Sequence, residues 1–155
     1  MESDIKKTIC EHSKSLNILY SLTDEELNQL VPSFELVNYP ASSTIFIEGD
    51  SGNFMGFIVS GKLEVRKETE FKGRQVVLAL LTNGSFVGDL NFCDEQPRSA
   101  SVLAKEDSVL LILRRDAFDN FVQKYPYTGI KVLWGLNRVL SIRLRKAVER
   151  SSEIF

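Results

Sequence analysis

The 155 residues are 43% hydrophobic and 26% charged, with a net charge of −2. Such a chain can bury a real core as one globular domain, which excludes a disordered segment and argues against bulk electrostatic binding of nucleic acid. One histidine, His12, and two cysteines, Cys10 and Cys93, supply neither a metal-ligand set nor a catalytic triad nor a disulfide framework. We therefore expect no enzyme, no metal and no cofactor, with Cys93 read as a small buried apolar residue. The longest apolar run, Val76 to Leu81, is far shorter than the roughly 20 residues of a spanning helix. Glu2, Asp4, Lys6 and Lys7 are followed by no apolar block, so no secretory leader is legible and a cytoplasmic location is expected.

Residues 5–19 place Ile5, Ile9, Leu16 and Leu19 at roughly helical spacing, predicting one or two short helices with His12 on a helix face. Thr23-Asp24-Glu25-Glu26 is a capping box: Thr23 caps, Glu26 reaches back, and Leu22 is placed to staple onto Leu27. Leu27, Leu30 and Val31 give that helix an apolar face, and Pro32 ends it.

Beyond Pro32 the period changes. Residues 34–39, 44–47, 54–60, 62–67, 75–81, 99–104 and 108–113 are short runs rich in β-branched and aromatic side chains, separated by turn signals such as Ser60-Gly61 and Phe71-Lys72-Gly73-Arg74. Strands this short and this regular read as a sandwich, jelly roll or barrel. Leu63 and Val65 alternating with Lys62, Glu64 and Arg66 mark a strand with one exposed face.

Between the runs at 75–81 and 99–104, Gly84 and Gly88 bracket Ser85, Phe86 and Val87. Asp89 and Leu90 follow, and Pro97-Arg98-Ser99-Ala100 closes the stretch. This is a plausible anion cradle. Glycine lets backbone approach a ligand, a short helix starting near Gly88 would aim its first amides at a negative group, and Arg98 is a two-pronged countercharge. Phe86, Val87, Leu90 and Val102 are the candidates for a dry wall. The readings without a ligand are an Asp89 placed by the helix dipole, an Arg98 in a surface ion pair with Asp89, Asp94 or Glu95, and a Ser99 bonded to a sheet edge.

From Tyr127 on, helical spacing returns: Ile130, Leu133, Asn137, Leu140, Leu144 and Ala147 form a heptad-like stripe, widened by Trp134, Leu136 and Val139. Such a helix can face both its own β-structure and a second copy, with Asn137 fixing the register of the pair. Arg138, Arg143, Arg145, Lys146 and Arg150 read as a solvated, dipole-favoured face near the helix end.

Gly88-Asp89-Leu90 and Pro97-Arg98-Ser99-Ala100 resemble the phosphate-binding cassette of the cyclic nucleotide-binding domain family, with its Gly-Glu-Leu and Pro-Arg-(Ser/Thr/Ala)-Ala motifs. Ile45 to Asp50, Phe57 to Val65, Arg115 to Phe118 and Tyr125-Pro126 are similar to further ordered pieces of that family, so the resemblance covers about residues 19–144. It implies a mostly β fold: a double-stranded β-helix, jelly-roll-like β-roll with N-terminal helices and a long C-terminal helix. The implied bounds are 1–32 for the first helices, 33–113 for the roll with its cassette at 84–100, and 114–155 for the last helices. It implies a regulatory module that binds cAMP, or else cGMP, and signals through the final helix as a homodimer. No DNA-binding module is expected within these residues, and no membrane.

The resemblance also assigns roles. Arg98 pairs with the cyclic phosphate, the Ser99 hydroxyl and Ala100 amide add hydrogen bonds, and the acid after Gly88 takes the ribose 2′-hydroxyl. Phe86, Val87, Gly88, Asp89, Leu90, Arg98, Ser99 and Ala100 are then the ligand residues, joined from the last helix by Asn137, with Arg138 and Ser141 as further polar candidates for the base. One departure stands out: Asp89 replaces the family's Glu and is shorter by about 1.5 Å. The alternative, which Asp89 favours, is a β-roll that has lost its ligand and serves dimerisation or docking.

Overall fold

The computed structural model describes residues 2–12, 16–71 and 73–152. Residues 13–15, inside the expected N-terminal helical stretch, and Lys72, inside an expected turn, lie outside it.

The N-terminal signals act as written. Helix α1 is Glu2–His12, and α2, Asp24–Leu30, starts at Thr23 with both arms of the capping box formed. Thr23 N donates to Glu26 at 2.9 Å and Glu26 N to Thr23 Oγ1 at 3.3 Å. A 3₁₀ turn at Val31–Ser33 around Pro32 then hands the chain to the strands.

Eight strands follow: β1 (Phe34–Tyr39), β2 (Thr44–Phe46), β3 (Phe54–Ser60), β4 (Lys62–Glu68), β5 (Gln75–Thr82), β6 (Phe86–Val87), β7 (Ser101–Ala104) and β8 (Ser108–Arg114). They form two antiparallel four-stranded sheets, ordered β1-β8-β3-β6 and β2-β7-β4-β5. Helix α3 (Asp89–Asp94) interrupts between β6 and β7, and α4 (Arg115–Lys124) and α5 (Pro126–Ser152) close the chain.

The first sheet is covered on both sides, which explains why β8 reads as an unbroken apolar run. Leu110 and Ile112 point between the sheets, where Ile45, Ile58, Leu63, Val87 and Val102 meet them. Leu111 and Leu113 point the other way, into a second core with Met55, Phe57, Leu30, Phe118 and Leu136. Strand period two sorts neighbouring apolar residues into two cores.

The second sheet has solvent on its outer side, and the expected alternation in β4 breaks at Glu64. That carboxylate is buried, capped by Arg66 and by Lys105 at 3.2 Å. A register shift between Val65 and Arg66 turns the strand there. β5 forms the edge, with Val76, Val77, Leu78 and Leu80 all exposed.

Of the apolar surface read on helix α5, Leu136 is buried and Val139 and Leu140 pack against the core, so the helix turns that edge to the roll and not the line of Ile130, Leu133 and Leu144. Thr128, Gly129, Val132, Gly135 and Leu136 are buried, whereas Ile130, Leu133 and Leu144 of the heptad stripe, and Trp134 beside it, are 45–68% exposed. Gly135 allows the approach: a Cβ there would sit against the backbone of Ile18, with the carbonyl carbon at 2.8 Å.

Candidate ligand site

β6 is pinned by pairing Val87 with Gly56 and Phe86 with Phe57 of β3. Gly88 follows at φ +78°, the left-handed region, and turns the chain straight into α3. The helix ends at Glu95, itself left-handed at φ +58°. Asn91 fixes the return loop: it is buried, and its amide donates to the carbonyls of Gln96 at 2.7 Å and Pro97 at 2.5 Å. The loop is also stitched to the β2–β3 turn, with Arg98 N donating to Asp50 O at 2.7 Å and Gly49 N to Arg98 O at 2.8 Å. Asn91 and Asp50 were not singled out in the sequence: the Asn91 amide is set by the path of the loop after it, and Asp50 acts through a backbone carbonyl, which any residue carries.

This architecture surrounds a cavity of about 380 Å³, within the range of small-molecule sites. Phe86, Val87, Gly88, Asp89, Leu90, Ser99 and Ala100 all line it. Its apolar wall adds Phe46, Val65, Ala79, Leu81 and Val102. Asn137 is not among them; it lines an open hollow on the exposed side of α5 with Ile130, Leu133 and Trp134. Arg138 faces a separate groove and Ser141 is exposed.

Arg98 is neither a surface ion pair nor a wall of the cavity. Its side chain is 2% exposed and lies directly behind Gly88, where an added Cβ would collide with the guanidinium. Nη2 donates to Phe54 O at 2.9 Å, and Nη1 to Gly88 O at 3.3 Å and Asn91 Oδ1 at 3.5 Å. The cation sits against the rings of Phe46 and Phe54, which meet edge to face, at 4.0 and 4.6 Å from their centroids. Nε has no hydrogen-bond partner among the described residues, a buried donor left unmet at a cost of about 1–3 kcal/mol. Burial pulls the guanidinium pKa down, against the pull of Asp50, Asp89 and Tyr39.

Asp89 is 6% exposed and has a cationic partner from the far end of the chain. Arg143 of α5 reaches in, donating from Nη1 to Asp89 Oδ2 at 3.2 Å and from Nη2 to Phe86 O at 3.3 Å. Its guanidinium carbon lies 4.0 Å from the centroid of the Phe86 ring. Burial raises the Asp89 pKa above the usual carboxylate range, with Arg143 pulling the other way. Arg150 also lines the cavity. Both arginines sit in the basic run that the sequence reading assigned to solvent; helical spacing shows which face they share but not that the face overhangs a cavity. Cys93 is exposed rather than buried as a residue, though burial around its thiol raises its pKa.

Residues 36–125 match the family model for the cyclic nucleotide-binding domain. The chain belongs to that family. Among curated relatives of the domain, the Cyclic AMP receptor protein of Thermus thermophilus is 33% identical over 134 residues, 86% of this chain and 60% of that protein. The cAMP-dependent protein kinase regulatory subunit of Aspergillus niger is 33% identical over 101 residues, 65% of this chain and 24% of that protein. This cyclic nucleotide-binding domain thus spans 60% or less of these relatives. Among solved structures, a cyclic nucleotide-binding domain from Methylobacillus flagellatus superposes with a TM-score of 0.86 at 27% identity, covering 97% of this chain and 85% of the other. The Thermus thermophilus Catabolite Activator Protein gives 0.77 at 31%, covering 89% and 62%. The β-roll with flanking helices is therefore the expected fold of the family.

Proposed function

We propose that this domain is a non-enzymatic sensor that binds cAMP in the cavity between β6–α3 and α5 and reports the event through α5. The observation that carries the reading is the Asp89–Arg143 pair, because it ties the cassette acid to the output helix. A ribose 2′-hydroxyl that donates to Asp89 shares the carboxylate that Arg143 engages through Oδ2, so ligand and helix are coupled at a single side chain. The ligand shifts the helix by no more than its difference in affinity for the two arrangements.

The phosphate end rests on Arg98. Its unmet Nε and its seat behind Gly88 put a cation one backbone thickness from the cavity. Exchanging the Gly88 and Asn91 acceptors for phosphate oxygens gives charge-assisted bonds, and it requires the Gly88 backbone or the Arg98 side chain to shift so that the guanidinium meets the cavity. Ser99 and Ala100 line the cavity beside it and supply the hydroxyl and amide of the cassette. The exposed stripe at Ile130, Leu133 and Leu144 supports pairing with a second copy.

Calorimetry with cAMP and cGMP tests the binding. We expect one site per chain with tighter binding of cAMP, loss of heat with Arg98→Ala, and slowed amide exchange in α5 when ligand is present. No heat from the wild-type chain at about 1 mM of either nucleotide, a concentration that detects even weak sites, overturns the sensor reading. That result favours the second reading, a β-roll kept for dimerisation or docking. One observation speaks for it: Arg98 and Asp89 already have protein partners on opposite sides of Gly88. Sedimentation of Leu133→Glu with Leu144→Glu tests the dimer; an association unaffected by both charges removes the stripe as its seam.

A further inference from the structure

Behind the ligand cavity lies a second one, a groove of about 410 Å³ between α5 and the β5–β6 turn. Arg138, Arg143 and Lys146 reach into it from one side of the helix, facing Ser85 and Asn17. Among the described residues no carboxylate lines it. Two of the cations have other partners: Arg138 lies over the Tyr20 ring at 4.7 Å, and Arg143 bonds Asp89 on the opposite side of Phe86. Among the described residues no salt bridge or side-chain hydrogen bond engages the Lys146 ammonium. Three like charges drawn into one concave surface repel one another, and a concave wall raises the local concentration of counter-ions.

We propose that this groove is a second anion site, for a small phosphate-bearing ligand of two or more negative charges, held by Arg138 and Lys146 with Arg143 shared between the two cavities. A dianion suits the composition: two guanidinium groups give forked donors to phosphate oxygens, an ammonium adds a point charge, and Ser85 offers a hydroxyl. Arg143 lines both cavities, so its single guanidinium divides its donors between Asp89 and an anion in the groove. Occupancy of the groove weakens the hold of Arg143 on Asp89 and so changes nucleotide affinity, and the change is reciprocal. This coupling rests on the sensor reading; the anion site itself does not.

The probe is inorganic pyrophosphate, titrated calorimetrically into the full 155-residue chain at constant ionic strength. We expect saturable binding to one site, weakened roughly tenfold or more by Arg138→Gln with Lys146→Gln, since each removes a charge-assisted bond. Both positions are exposed on α5, and an unchanged circular dichroism spectrum verifies the fold of the variant. Pyrophosphate binding persists in Arg98→Ala and, should that variant unfold, in Ser99→Asp, which puts a negative charge in the cassette and reaches the groove only through its pull on Arg143. In the wild type, saturating pyrophosphate shifts the cAMP dissociation constant several-fold, and in Arg143→Gln it does not. Absence of saturable heat at about 5 mM pyrophosphate overturns the site. So does binding that survives the Arg138/Lys146 variant, or that is abolished by Ser99→Asp, since the anion then sits in the cassette. If pyrophosphate binds as stated and cAMP gives no heat, the anion site stands and the sensor reading falls.

Discussion

The two halves of α5 are held by different forces. From Pro126 to about Leu140 the helix lays Thr128, Gly129, Val132, Gly135 and Leu136 into the core shared with α4, α2 and the first sheet. From 141 to 152 every residue is exposed, yet this half carries Arg143 and Arg150 to the ligand cavity. Apolar burial secures the first half and a few polar bonds secure the second. A segment with little buried apolar surface opens at low free energy, so the half that lines the candidate cavity is also the half held least firmly.

The largest expected effect attacks the packed half. Leu136 is 2% exposed, and Leu136→Ala should cost about 2–5 kcal/mol in chemical denaturation, against under about 0.5 kcal/mol for Leu144→Ala, a residue 66% exposed, measured on monomer. Equal losses at the two positions would end the comparison.

Gly135→Ala comes next. Alanine favours a helix interior by about 1 kcal/mol, but the new methyl lands on the Ile18 backbone, which cannot swing aside. The steric term wins, for a net loss of about 1–3 kcal/mol in thermal unfolding. A more stable variant would show that α5 and the segment at Ile18 can part freely.

Arg143→Gln sharpens the comparison from the other side. The arginine side chain is 41% exposed, so solvent screens its pair with Asp89 and global stability should change by less than about 1 kcal/mol. Amide exchange in residues 141–152 should accelerate while residues 128–136 stay protected. Uniform acceleration along α5 would mean that the helix moves as one piece.

The smallest effect is a pH dependence. The folded-state pKa of Asp89 lies above its unfolded value because burial disfavours the charge. The folded state therefore holds the proton more tightly, and the destabilisation that Asp89 imposes at neutral pH is relieved as pH falls through that raised pKa. Asp89→Asn should accordingly be slightly more stable than wild type at pH 7, with the gap closing as pH drops toward the ordinary carboxylate range. A gap that widens instead reverses the sign and makes Arg143 the dominant partner.

Much of this was legible in the chain. Period two followed by period 3.6 laid out the strands and the last helix, the capping box set the start of α2, and spaced glycines with Pro97-Arg98-Ser99-Ala100 marked the cassette. The family match over residues 36–125 agrees with that reading. Glu64 and Arg143 escaped it for one reason. Each is a charged residue in a context that reads as solvent-facing, and each is drawn in by partners remote in sequence or by a register shift.

Local physics, then, wrote the order of the elements: side-chain spacing and backbone preference act between near neighbours and survive in one dimension. Which stripe of α5 meets the roll, which way the Arg98 guanidinium faces and which cation answers Asp89 were decided only in three dimensions. Those choices depend on burial and on Coulomb attraction between groups brought close by the fold, and neither has a fixed separation along the chain.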